Sequence, residues 1–81
     1  MLRHTPLPGE IYLHFKGKRY EIIAIACHSE TEEELVIYKR CGEERIFARP
    51  LAMFCSEVDR EKYPDAMQRR RFEKHDTEEL I

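Results

Sequence analysis

Apolar residues in the first fifty positions either alternate with polar ones or gather in short runs, and neither pattern sustains the 3.6-residue period of a helix. Ile11-Tyr12-Leu13-His14-Phe15 alternates and predicts a strand with Ile11, Leu13 and Phe15 on the core face and Tyr12 and His14 opposite. Lys16-Gly17-Lys18 reads as a tight turn in which Gly17 supplies φ > 0. The nearly continuous run from Tyr20 to Cys27 suits a central strand covered on both sides. Leu35-Val36-Ile37-Tyr38 predicts a third strand and Ile46-Phe47-Ala48-Arg49 a fourth, which Pro50 ends because it has no N–H to donate. Leu51-Ala52-Met53-Phe54 is long enough for one helical turn, with Leu51 and Phe54 plugging an open end. Ser56-Glu57-Val58 predicts a last short strand.

Short strands, short turns and one helical turn describe a mostly β fold, a small antiparallel SH3-like barrel or rolled sheet. Residues 1–72 are expected to form this single domain. Phe72 is expected to dock, and residues 73–81 to be a charged, flexible or weakly helical tail. The 81-residue length leaves room for one domain, and a chain this short buries only about 60% of its unfolded surface, so each large apolar side chain matters.

Charge adds a second pattern. Residues 1–27 carry four basic and two acidic groups, residues 28–45 three and six, and residues 46–81 seven and eight. The net charge of -2 therefore hides segments at +2, -3 and -1, with the acidic one centred on Glu30, Glu32, Glu33 and Glu34 between two strands. That run predicts a solvated hairpin loop. The overall balance disfavours a strongly basic nucleic-acid binder, and no apolar run approaches the ~20 residues of a membrane span. Three cysteines, Cys27, Cys41 and Cys55, cannot close a complete disulfide set, and no secretory leader is visible, so the expected compartment is the reducing cytoplasm. The simplest role for each cysteine is that of a small buried hydrophobe.

The strings Pro8-Gly9-Glu10-Ile11-Tyr12, His14-Phe15-Lys16-Gly17, Tyr20, His28-Ser29-Glu30-Thr31, Leu35-Val36-Ile37-Tyr38, Arg49-Pro50-Leu51 and Met53-Phe54 occur in an informative order. So do Ser56-Glu57-Val58-Asp59, Lys62-Tyr63-Pro64-Asp65 and Arg71-Phe72. Over about residues 8–72 the chain resembles a small bacterial family catalogued as domain of unknown function 1653. The resemblance implies a stand-alone bacterial cytoplasmic domain and supplies no catalytic residue. Two positions depart from it. Glu32 stands where relatives often have Gly, so a left-handed backbone there is not obligatory. The Cys41-Gly42 turn is about one residue shorter than usual and lacks an aromatic that often precedes the Gly.

The candidate chemistry is modest. His14 and His28 are the most informative polar residues; a strand hairpin about residues 16–19 sets His14 opposite about residue 21 and His28 further along, so the two need not meet. Either can equally be a satisfied polar group at a strand end. Adjacent Cys27 and His28 point to opposite faces of a strand and lack a second ligand pair, so neither metal nor cofactor is implied. A hydrolytic arrangement would use His28 as general base, Glu30 to orient it and Ser29 or Thr31 as nucleophile, although Ser and Thr oxygens in turns commonly satisfy backbone N–H groups instead. Arg49 can hold a carboxylate or phosphate with its fork, or pair with Glu30, Glu34 or Glu57. Tyr12, Tyr20, Tyr38 and Phe47 form either a binding platform or simply core.

These residues favour a non-enzymatic binding module with Tyr12, His14, His28, Glu30, Tyr38 and Arg49 as its ligand-binding surface, taking a protein segment or a small anionic ligand and no membrane. A small hydrolase centred on His28 is the enzymatic alternative. An RNA-binding accessory protein using Arg69, Arg70 and Arg71 is the third, although nearby Glu73, Asp76, Glu78 and Glu79 offset that basic run.

Overall fold

The five strands are β1 (Ile11–His14), β2 (Arg19–Cys27), β3 (Glu34–Arg40), β4 (Ile46–Pro50) and β5 (Phe72–Lys74), with helix α1 (Leu51–Phe54) between the last two. They come from a computed structural model that describes residues 5–74. All neighbours pair antiparallel, in the order β4-β3-β2-β1-β5. The outer strands β4 and β5 share no ladder, so the expected barrel is not closed. The sheet is rolled, however. Tyr38 on β3 and Phe72 on β5 stand three strand spacings apart, roughly 14 Å across a flat sheet. Their ring centroids lie 5.6 Å apart.

Which face is core reverses the expectation for β1. Tyr12 is buried and Ile11 and Leu13 are only half-buried. Tyr12 pairs with Tyr20 and Lys74, and His14 with Phe72, which puts the even residues of β1 on the face carrying the rings. Burying large aromatic surface outweighs keeping the smaller aliphatics inside. The hairpin register also shifts: Leu13 pairs with Arg19 and the His14 N–H donates to the Lys18 carbonyl, so the turn is tighter than expected and His14 sits opposite residue 18. Gly17 takes φ 103° there, as a tight turn requires.

The isoleucine run of β2 has a similar explanation. Ile22 faces Tyr38 and Ile25 faces Val36, with a bulge between Ile22 and Ala24. An extra residue flips the parity of all that follows, so Ile22 and Ile25 both reach the core although three positions apart. The other face, with Ala24, Ala26, Leu35 and Ile37, is half-buried rather than fully covered.

Helix α1 is one turn and contributes Phe54, 1% exposed. Phe54 stacks on Phe72 at 4.1 Å and meets Tyr12 and Tyr38 edge-on, both at 5.4 Å. It fills the space across which β4 and β5 would otherwise meet. The expected strand at residues 56–58 is reduced to one bridge, Glu57 with Arg70. The last strand instead includes Phe72, Glu73 and Lys74, so the sheet extends two residues past the expected domain boundary. The rest of the expected tail, residues 75–81, lies outside the described residues. Of the cysteines only Cys55 is buried; Cys27 and Cys41 are exposed, at the end of β2 and in the β3–β4 turn.

Candidate functional site

Phe72 organises one cluster. Phe54 covers it on one side, and His14 (4.9 Å), Tyr20 (5.6 Å) and Tyr38 (5.6 Å) approach it edge-on. The Arg49 guanidinium lies 5.7 Å from its centroid. Arg49 projects from β4 on the side of Val36 and Tyr38 and donates through Nε to the Tyr38 hydroxyl at 3.1 Å. Among the described residues its two-nitrogen fork makes no hydrogen bond or ion pair. Arg71, just before β5, donates through Nε to Ser56 Oγ at 3.2 Å, and among the described residues its fork likewise has no partner. Among the described residues neither arginine pairs with a carboxylate, and the expected partners Glu30, Glu34 and Glu57 do not reach Arg49.

His14 is half-buried between these cations and the rings. Its Nδ1 accepts the Lys16 N–H at 3.1 Å, so Nε2 carries the proton in the neutral ring. Burial first, and then the nearby charges of Arg49, Arg71 and Lys16, pushes its pKa down to about 4. His14 is therefore a neutral imidazole at neutral pH, within electrostatic reach of Arg49 and Arg71.

Of the residues expected to form the binding surface, Tyr38, His14 and Arg49 do converge, through Phe72. Tyr38 and Tyr12, however, are 4% and 5% exposed and belong to the core rather than to an open platform. The Tyr12 hydroxyl donates to Glu10 Oε1 at 3.3 Å, and burial together with that carboxylate raises its pKa. His28 and Glu30 lie at the opposite end of β2, on the order of 30 Å of strand away. There His28 Nδ1 accepts the N–H groups of Glu30 (3.1 Å) and Thr31 (3.3 Å), and Thr31 Oγ1 accepts the Glu33 N–H. These are turn-closing bonds. Among the described residues the Glu30 carboxylate does not bond His28, so the hydrolytic relay is not assembled. Glu32 in this turn has φ 65°, so the left-handed backbone is kept although Glu replaces the expected Gly.

The sequence offers Arg71 as part of the basic run Arg69 to Arg71, an RNA-binding alternative offset by the acids that follow. All three arginines are engaged instead: Arg69 pairs with Glu57 at 3.1 Å, Arg70 donates to the Cys55 carbonyl at 3.1 Å, and Arg71 bonds Ser56. The sequence signal was Phe72 itself, since a ring bound for the core pins the residue before it to the domain.

Two grooves adjoin the cluster on the far side of His14. One of about 660 Å³ runs between Leu13, His14 and Phe15 and the loop residues Ala66, Met67 and Gln68. A second of about 360 Å³ continues past Phe15 to Tyr63, Lys16 and Lys62. The loop wall is held in place by Gln68 Nε2 donating to the Leu13 carbonyl at 2.9 Å and by Arg60 Nη1 donating to the Ala66 carbonyl at 2.7 Å.

No group of three or more His, Cys, Asp or Glu side chains converges among the described residues, and no helix there is long and apolar enough to cross a membrane. Among curated proteins no match is found. A crystal structure of a DUF1653 protein from Bordetella bronchiseptica is similar at a TM-score of 0.66 and 30% identity, covering 84% of this chain and 85% of that one. The family described as "Protein of unknown function (DUF1653)" matches residues 10–74, and the chain belongs to that family.

Proposed function

We propose that this protein is a small, non-enzymatic binding module that takes an anionic group, a carboxylate or phosphate, between His14, Arg49 and Arg71. The observation that carries this reading is the pair of arginines whose Nε atoms are anchored to Tyr38 and Ser56 while, among the described residues, their forks meet no carboxylate. Anchoring matters because a guanidinium fixed before binding loses little freedom when the anion arrives. The neutral His14 adds an N–H donor, and Phe72 beneath Arg49 excludes water from one side. A hydrogen bond between charged partners contributes about 1.5–3 kcal/mol, so two forks suffice for a weak but selective site.

The scaffold is read as SH3-like: consecutive hairpins, a helical turn before the last strand, and pairing of that strand with the first support the relationship. The exposed thiols of Cys27 and Cys41 suit the reducing cytoplasm of a bacterium.

The test is an amide-resolved NMR titration with inorganic phosphate and, separately, acetate. Shifts confined to His14, Arg49, Arg71 and their neighbours support the site. Shifts absent, or centred on residues 28–33, overturn it.

A further inference from the structure

Cations stacked on rings are unusually frequent on this side of the molecule. Significant pairs occur about once per 70–80 residues. Here Arg40 lies over Tyr20 at 5.8 Å, Arg45 over Phe47 at 5.6 Å and Arg49 over Phe72 at 5.7 Å. Lys16 lies over Tyr63 at 5.2 Å and over Phe15 at 5.9 Å. The acidic run Glu30, Glu32, Glu33 and Glu34 follows the far end of β2, while Glu43, paired with Arg40, and Glu44 lie in the β3–β4 turn.

The rings also form a continuous row from core to surface. From Phe72 the row passes to His14, then to Phe15 at 4.6 Å, then to Tyr63 at 4.9 Å. Tyr63 is 37% exposed. From His14 the surface opens onto the larger groove, lined by Phe15, Asp65, Arg69 and Glu73, and past Phe15 onto the smaller one, lined by Tyr63, Lys16 and Lys62.

Building on the anion-site reading, we infer that the ligand is single-stranded RNA, with a phosphate held by His14, Arg49 and Arg71 and neighbouring bases stacked along Phe15 and Tyr63. An anion site alone fits any small acid. A site continuing into an aromatic groove flanked by lysines fits a polymer that alternates phosphates with flat rings. Asp65, which lines both grooves, makes no hydrogen bond or ion pair among the described residues. Its carboxylate repels phosphate but accepts a hydrogen bond from a ribose 2′-hydroxyl, which favours RNA over DNA. Gln68 is fixed by its bonds to the Leu13 and Arg70 carbonyls and presents its side-chain oxygen as a further acceptor.

The test uses fluorescence anisotropy with a labelled mixed-sequence single-stranded RNA oligonucleotide and its DNA counterpart, at two salt concentrations. RNA should bind, weaken as salt rises, and outcompete DNA. Tyr63→Ala should weaken RNA binding roughly tenfold, in line with the loss of one stacking contact. Lys16→Ala should weaken it less and flatten the salt dependence. Tyr63→Ala should leave the phosphate-induced NMR shifts at Arg49 and Arg71 in place. Asp65→Ala, which removes the acceptor, should erase the preference for RNA over DNA.

Phosphate shifts at the cluster without RNA binding overturn this inference and leave the anion site standing. RNA binding without any phosphate shift at the cluster overturns the anion site and, with it, the assigned phosphate position. Affinity unchanged in Tyr63→Ala, or polyglutamate binding as tightly as RNA, overturns the stacking groove.

Discussion

His14 and His28 make the same local bond and have different surroundings. Each accepts at Nδ1 from the backbone N–H two residues ahead, Lys16 in one case and Glu30 in the other. At the β2–β3 turn the bond is one of several that close a solvent-exposed loop rich in glutamate. At the end of β1 it fixes the tautomer of a ring packed against Phe72, Tyr20 and Phe15 and facing Arg49, Arg71 and Lys16. A hydrogen-bonding pattern shared by two histidines thus closes a turn in one place and orients a donor in the other. The difference lies in what the sheet brings across from β4 and from the segment before β5.

The largest way to break this comparison is to remove the ring beneath His14. Phe72→Ala should cost about 3–5 kcal/mol. A domain of this size holds only roughly 4–12 kcal/mol in all, so urea denaturation should show a transition shifted to a fraction of its wild-type midpoint. Next in size is the effect on binding. Arg49→Gln and Arg71→Gln should each weaken phosphate binding roughly tenfold, or about 1.4 kcal/mol, while the turn variant His28→Ala leaves it unchanged in the same calorimetric or NMR titration.

Smaller effects probe the turn itself. His28→Ala strips the acceptor shared by Glu30 and Thr31 and should lower stability by about 1 kcal/mol, read from the same urea curves. Glu32→Gly should act in the opposite direction. A side chain held at φ 65° costs about 1–2 kcal/mol, partly offset by the greater freedom of glycine in the unfolded chain, so a gain on the order of 0.5–1 kcal/mol is expected. A loss of stability in Glu32→Gly would show that the left-handed turn is not strained.

How far these regions could be read from sequence follows from the range of the forces that shape them. Strands β1 to β4, the Gly17 turn, the stop at Pro50 and the plug of Leu51 and Phe54 are local consequences of alternation and of proline and glycine, and all four strands and the plug occur where the pattern put them. The face of β1 was not legible, because alternation fixes which residues share a side but not which side meets Phe54 and Phe72. The bulge at residue 23 was hidden in an isoleucine run that fits either face. β5 is three residues long, and its pairing with β1 spans most of the chain, so nothing nearby announces it.

The site was legible in part for the same reason. Arg49, His14 and Tyr38 were singled out by residue type, and all three touch Phe72. Tyr12 was placed outside because the face was inverted, and His28 with Glu30 because a histidine beside acids suggests chemistry that the turn geometry does not assemble. Arg71 was named only with Arg69 and Arg70 as an RNA-binding alternative, because its bond to Ser56 depends on the docking of the last strand.

Protonation offers the finest discrimination. An imidazole with an ordinary value of 6.5 and a folded value of about 4 binds a proton more readily when the chain unfolds. The contribution of His14 to stability is therefore complete above about pH 6.5 and is lost as pH falls toward 4. Melting temperatures taken across that window should fall on acidification, and His14→Gln should remove part of the slope.

The most direct test of the central claim is an NMR titration of the His14 ring with and without phosphate. With no anion present His14 should titrate near 4, and saturating phosphate should raise that value because the bound charge offsets Arg49 and Arg71. A His14 that titrates near 6.5 and does not respond to phosphate would contradict the account.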